Sequence, residues 1–127
     1  SLLELLKSSD IVSIHIPLNE QTKNLIDKKE LSQLKGSYLI NTSRGKIVNS
    51  KELLLALQNK LLKGAALDVL DNEHDIIKNN QNMLIEYSKL NSNLIITPHI
   101  GGATFESVEK TDLYILRKYF KSKKLIL

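Results

Sequence analysis

The stretch Ser37–Val69, SYLINTSRGKIVNSKELLLALQNKLLKGAALDV, decides the fold of this chain. It opens on Ser37–Asn41 (SYLIN) and closes on Ala65–Val69, two short apolar runs of strand length, the second entered through Gly64. Between them, Asn49 with Glu52 is a helix-capping pattern, and Leu53, Leu54, Leu57 and Leu61 follow at helical spacing. Working outward toward the start, Ile11–Ile16 (IVSIHI) predicts a buried strand stopped by Pro17, and Ser1–Ser9 the tail of a helix. Asp27 with Glu30 is a capping box for a short helix ending near Lys35 and Gly36. Toward the end, the polar run Asp71–Asn80 predicts a loop, and Met83–Leu90 a short helix. Asn93–Thr97 (NLIIT) predicts a fourth strand ended by Pro98, and a last helix runs from near Thr104 to Lys121. Strands alternating with helical segments imply a mostly parallel sheet with helices on its faces, an α/β architecture.

With 127 residues, 42% hydrophobic and 25% charged, the composition is that of one soluble globular domain with a core to bury. Disorder and collagen-like repeats are excluded, and no internal repeat, low-complexity segment or linker divides the chain. No apolar run approaches the roughly 20 residues of a membrane span. Ser1–Lys7 lacks the charged start and long apolar core of a signal peptide, so a cytoplasmic protein without a membrane partner is the expectation. The absence of cysteine removes disulfides, thiolate metal sites and a thiol nucleophile. The net charge is +4, from 18 basic and 14 acidic residues, and the lysines are scattered. One basic cluster with aromatic rings stands near the end: Arg117, Lys118, Lys121, Lys123 and Lys124 around Tyr119 and Phe120. It reads as a solvated helix end, and no nucleic-acid partner is expected.

In open parallel sheets, ligands bind beyond the carboxyl ends of the strands, so the residues leaving each strand are the candidates. Those are His15 and Pro17 after the first, Thr42, Ser43, Arg44 and Gly45 after the second, Asp68 and Glu73 after the third, and Pro98, His99, Gly101 and Gly102 after the fourth. Arg44 is one of two arginines in a chain that otherwise uses lysine. Its planar guanidinium suits a bidentate grip on a carboxylate, against the plainer reading of a surface ion pair. Histidine is the side chain that can hold a transferable proton near neutral pH, and a carboxylate such as Glu73 beside His99 would favour its charged form. Arg44, Glu73 and His99 are unremarkable singly; their convergence on one sheet edge favours a site. Asp68 is either a loop carboxylate or an acceptor for an amide-bearing ligand, and Gly101–Gly102 either a tight turn or a close backbone approach to a ligand. His15 reads as a core or rim histidine and His74 as solvated. The three histidines lack helical metal-ligand spacing and the carboxylates follow no calcium-loop pattern, so no metal is expected.

Taken together, SDIVSIHIPLNEQTKNLI, INTSRGKIVNSKELLLAL, GAALDVLDNE and LIITPHIGGAT resemble the NAD-binding domain of the D-isomer-specific 2-hydroxyacid dehydrogenases, over Ser1 to Tyr119. The resemblance implies a partial Rossmann-like, doubly wound parallel sheet with flanking helices. It also implies hydride transfer between NAD and C2 of a small D-2-hydroxy or 2-oxo acid, and a homodimer for the full-length protein. By the same resemblance the catalytic residues are Arg44, gripping the substrate carboxylate, His99, the acid/base, and Glu73, its partner. Cofactor-binding positions are His15, Pro17, Thr42, Ser43, Arg44, Asp68, His99, Gly101 and Gly102, with Asp68 reaching the carboxamide.

Two features depart from the family pattern. His74 follows Glu73 where the family has proline, and no G-x-G-x-x-G occurs among glycines 36, 45, 64, 101 and 102. Residues 1–127 are therefore expected to be the C-terminal part of a nucleotide-binding domain, without its glycine-rich first half or a substrate domain. The acidic or basic residue that would discriminate NAD from NADP is not in the chain, so both remain open. Two alternatives stand beside the enzyme: a non-catalytic dinucleotide-sensing or protein-interaction module of the same fold, and an isolated chain that is inactive by itself. Formate-type relatives are disfavoured, because they carry glutamine where Glu73 stands.

Overall fold

The computed structural model describes residues 1–75, 81–102 and 104–123. The chain enters through α1 (Leu2–Ser8), capped reciprocally by Ser1 and Glu4 and anchored by the buried Leu6. After β1 (Ile11–Ile14) comes α2 (Lys28–Gln33), where Asp27 and Glu30 form the capping box their spacing predicts. β2 (Tyr38–Asn41) leads through a single 3₁₀ turn, Gly45–Ile47, to α3 (Ser50–Gln58), where the Asn49 side chain accepts from the amides of Lys51 and Glu52. β3 (Gly64–Leu67), α4 (Met83–Leu90) capped by Asn82, β4 (Leu94–Ile96) and α5 (Phe105–Lys123) complete the order.

The four strands are all parallel and lie in chain order, β1-β2-β3-β4. Right-handed crossovers in a sequential sheet place the connecting helices on one face. Accordingly α1 packs on α2, α2 on α3, α3 on α4, and α4 on β4. Val12, Ile14, Leu39, Leu67 and Leu94 point into that layer and are buried with Leu31, Leu53, Leu57 and Leu84. Each such side chain contributes on the order of 1.5–3 kcal/mol by leaving water. On the other face the alternate residues Ile11, Tyr38 and Ile95 are exposed.

Register matters more for the site than the core does. Ile14 lies opposite Asn41, Asn41 opposite Leu67, and Leu67 opposite Ile96. All four strands thus stop on one line, and the residues that follow them emerge along a single edge.

Three expectations are corrected. The helix beginning after Asn49 ends at Gln58 rather than running on through Leu61 to the Gly64 stop. Lys60 takes the left-handed conformation (φ +56°), with Leu61 N–H on the Ala56 carbonyl and Lys60 N–H on that of Leu57, the two bonds of a Schellman ending. The first strand ends at Ile14, because its partner β2 ends at Asn41 and the Ser43 hydroxyl takes the carbonyls of Ile14 and Ile16 instead. Within the polar stretch, residues 73–75 are helical, with the Asp75 amide on the Asn72 carbonyl; residues 76–80 lie outside those described. At the far end Arg117, Lys118 and Lys121 are exposed on α5, and Lys124 lies outside the described residues.

Candidate active site

The site is built where the strands run out. Asn41, the last residue of β2, is a polar side chain buried to 1% exposure in an apolar layer. Its amide group explains this: Oδ1 accepts the Ser43 N–H at 3.0 Å and Nδ2 donates to the Arg44 carbonyl at 3.0 Å. Asn41 thereby folds the loop 42–44 back over the end of its own strand. Gly45 then passes so close to the next strand exit that a Cβ on it would lie 2.2 Å from the Leu70 carbonyl oxygen and 2.4 Å from the Asp71 nitrogen. The approach needs glycine for its missing side chain. Lys46 Nζ stands 3.8 Å from an Asp71 carboxylate oxygen across the same contact.

Leu70, at that contact, donates its N–H to Glu73 Oε1 at 2.8 Å, and Glu73 Oε2 meets His99 Nδ1 at 2.8 Å. An ionised carboxylate only accepts, so Nδ1 carries the hydrogen and Nε2 is the ring atom left for a ligand. Both side chains are part-exposed, His99 at 52% and Glu73 at 34%. His99 itself has a left-handed backbone (φ +57°), an uncommon conformation for a residue with a Cβ.

Asp68 lies beneath this turn, 7% exposed. Its Oδ1 accepts the Thr97 hydroxyl and the Ile100 N–H (3.0 Å), and its Oδ2 accepts the Gly101 N–H at 2.7 Å. Burial works against the charged form. The hydrogen bonds from Thr97, Gly101 and Ile100 and the nearby imidazole of His99 outweigh it and hold the carboxyl below its ordinary range. Of the roughly four lone-pair sites of a carboxylate, three are taken, leaving one for an amide-bearing ligand.

The remaining positions line the same edge. His15 is exposed just past β1, its Nε2 2.7 Å from Ser13 Oγ, so it is a rim histidine rather than a core one. The carbonyl of Pro17 accepts the Thr22 hydroxyl at 2.7 Å. Thr42 is exposed, while the Ser43 hydroxyl is committed to the Ile16 carbonyl at 3.0 Å. Arg44 is exposed, donates to the Ser43 carbonyl at 2.7 Å, and forms no ion pair among the described residues. It hydrogen-bonds neither Glu73 nor His99; the link runs from Gly45 to Leu70, from Leu70 to Glu73, and from Glu73 to His99. Gly101 and Gly102 are exposed, with open space where a Gly102 side chain would stand. A cavity of about 410 Å³ opens beside the pair, floored by Leu70, Ile85, Ile96 and Pro98. His74 is exposed.

Three residues that shape this edge were given no role from the sequence: Asn41 and Gly45, which stand in the run leaving the second strand, and Thr97. Asn41 did leave a trace, as a polar residue at a buried position of an apolar strand. Gly45 and Thr97 act on partners far away in the chain, and nothing local marks them.

A parallel sheet flanked by helices, with charged and polar side chains gathered beyond the carboxyl ends of its strands, is the architecture of Rossmann-type nucleotide-binding domains. The chain belongs to the D-isomer specific 2-hydroxyacid dehydrogenase NAD binding domain family, whose pattern it matches over residues 1–101. It is similar to the D-3-phosphoglycerate dehydrogenase of Escherichia coli K12, with 43% identity over 122 residues, covering 94% of this chain and 29% of that protein. Among solved structures it is similar to the D-lactate dehydrogenase of Aquifex aeolicus complexed with NAD and lactic acid, at 34% identity and a TM-score of 0.76, covering 96% of this chain and 40% of that one. The NAD-complexed D-isomer specific 2-hydroxyacid dehydrogenase of Lactobacillus delbrueckii ssp. bulgaricus aligns at 31% identity with a TM-score of 0.82, covering 95% and 40%. The chain thus spans under a third of the curated relative's length and two fifths of each solved one.

Proposed function

We propose that the protein carrying this chain interconverts a small D-2-hydroxy acid and its 2-oxo acid with NAD. The observation that carries the reading is the 2.8 Å contact between His99 Nδ1 and Glu73, which leaves Nε2 on the edge where Arg44 stands without an ion pair among the described residues. The donor set suits a nicotinamide: Thr42 exposed, one acceptor site left on Asp68, and exposed backbone at Gly101 and Gly102 with open space beside Gly102. When bound, that group supplies the hydride. Arg44 holds the substrate carboxylate through two parallel N–H bonds and so fixes which face of the carbonyl is presented. His99 gives its Nε2 proton to the carbonyl oxygen in reduction and takes it back in oxidation. Glu73, held by the Leu70 amide, accepts from Nδ1 and stabilises the imidazolium.

Residues 1–127 would then be the C-terminal part of the nucleotide-binding domain. The chain has no glycine-rich phosphate loop in its sequence, and both the bare sheet face and the apolar residues of α5, such as Phe105 at 95% exposure, call for covering. We therefore place turnover, and a homodimeric assembly, in a longer protein. Loss of NADH absorbance on adding small 2-oxo acids to that protein tests the reading. Saturable turnover supports it, and NADH binding without turnover of any 2-oxo acid supports the non-catalytic dinucleotide-sensing alternative.

A further inference from the structure

Something must hold His99 in its left-handed backbone, and the same carboxylate grips the chain on both sides of it. Before His99, the Thr97 hydroxyl donates to Asp68; after it, the amides of Ile100 and Gly101 do so at 3.0 and 2.7 Å. The His99 amide closes the turn onto the Thr97 carbonyl at 3.0 Å. Asp68 is itself fixed to the sheet, since its N–H donates to the Asn41 carbonyl at 2.9 Å. The fit is close: a Cβ on Gly101 would stand 2.8 Å from Asp68 Oδ2, so a side chain there would press on the carboxylate. Three donors on one buried carboxylate make a stiffer tie than neutral hydrogen bonds would.

We propose that Asp68 is a positioning residue for His99: it clamps the 97–101 turn so that the imidazole keeps Nδ1 on Glu73 and leaves Nε2 for the substrate. This rests on His99 being the proton donor of the proposed reaction. It goes beyond the expectation that Asp68 serves the cofactor, because three of the carboxylate's acceptor sites are taken up by the turn itself. Asp68 acts through the turn and does not touch the reacting atoms.

The test reads the imidazole of the complete protein by nitrogen NMR, without cofactor or turnover. His99 is expected to show one tautomer, protonated at Nδ1, while the exposed His74 serves as a reference for an unrestrained ring. Asp68→Asn keeps the shape but cannot accept from all three donors. It should speed hydrogen exchange at the Ile100 and Gly101 amides by roughly tenfold to a hundredfold and move the His99 spectrum toward the tautomer mixture of His74. Thr97→Val removes one donor and should shift His99 in the same direction by less; it carries the test if Asp68→Asn does not fold. An unchanged His99 tautomer in whichever variant folds overturns the proposal, even if the amides exchange faster, because the turn would then have loosened without moving the ring. A complete enzyme that turns over normally as His99→Gln would sink the proton-donor reading instead and leave the tautomer result standing.

Discussion

Gly45 and Leu70 approach so closely that the Leu70 backbone occupies the space a side chain on Gly45 would need: a Cβ at Gly45 would lie 2.2 Å from the Leu70 carbonyl oxygen. This contact locks the arginine loop after β2 to the turn that carries Glu73. Gly45→Ala should therefore destabilise the chain by about 1–3 kcal/mol through overpacking. A lower urea midpoint with an unchanged slope is the expected result, and a wild-type midpoint would mean the loops are not in contact.

Asn41 makes a different kind of contribution, through two hydrogen bonds made in a buried layer. Asn41→Ala should cost about 1–3 kcal/mol, since it leaves the Ser43 N–H and Arg44 carbonyl without partners. Asn41→Asp keeps the acceptor for Ser43 but sets a carboxylate against the Arg44 carbonyl, and should be at least as costly. Equilibrium unfolding of both variants checks the order.

These two residues also mark how far the sequence could be read. The strands were legible because IVSIHI, SYLIN and NLIIT are apolar runs of strand length, and the starts of α2 and α3 because Asp27 and Asn49 cap them. Glu73 and His99 were legible as a pair because parallel strands that stop in register must bring their exits together. The end of α3 was not, because a lysine, Lys60, takes the left-handed position usually given to glycine. Nor was the Asp68 clamp, whose amide partners lie 32 and 33 residues away and are brought to it only by the β3–β4 pairing.

The Asp68 carboxyl is held below its ordinary range, so it favours folding in its charged form. Its contribution is fully present above the ordinary carboxylate pKa, near ~3.9, and is lost as pH falls from there through the lower folded value. The stability gap between wild type and Asp68→Asn should be constant above about pH 4 and narrow below it. Urea midpoints measured across that range check the sign, and a gap that widens on acidification would contradict it.

In the complete protein, Arg44→Lys replaces a planar fork with a point charge. The KM for a 2-oxo acid should rise by roughly tenfold to a hundredfold while NADH affinity changes little. Equal losses in both would place Arg44 in the cofactor site and not on the substrate carboxylate.

In the proposed reaction His99 passes a proton from Nε2 with Glu73 behind it. Steady-state turnover of a 2-oxo acid by the complete protein carrying His99→Gln tests this most directly, with NADH affinity measured alongside. With NADH binding preserved, kcat should fall by about a hundredfold to ten-thousandfold. A kcat near the wild-type value would contradict it.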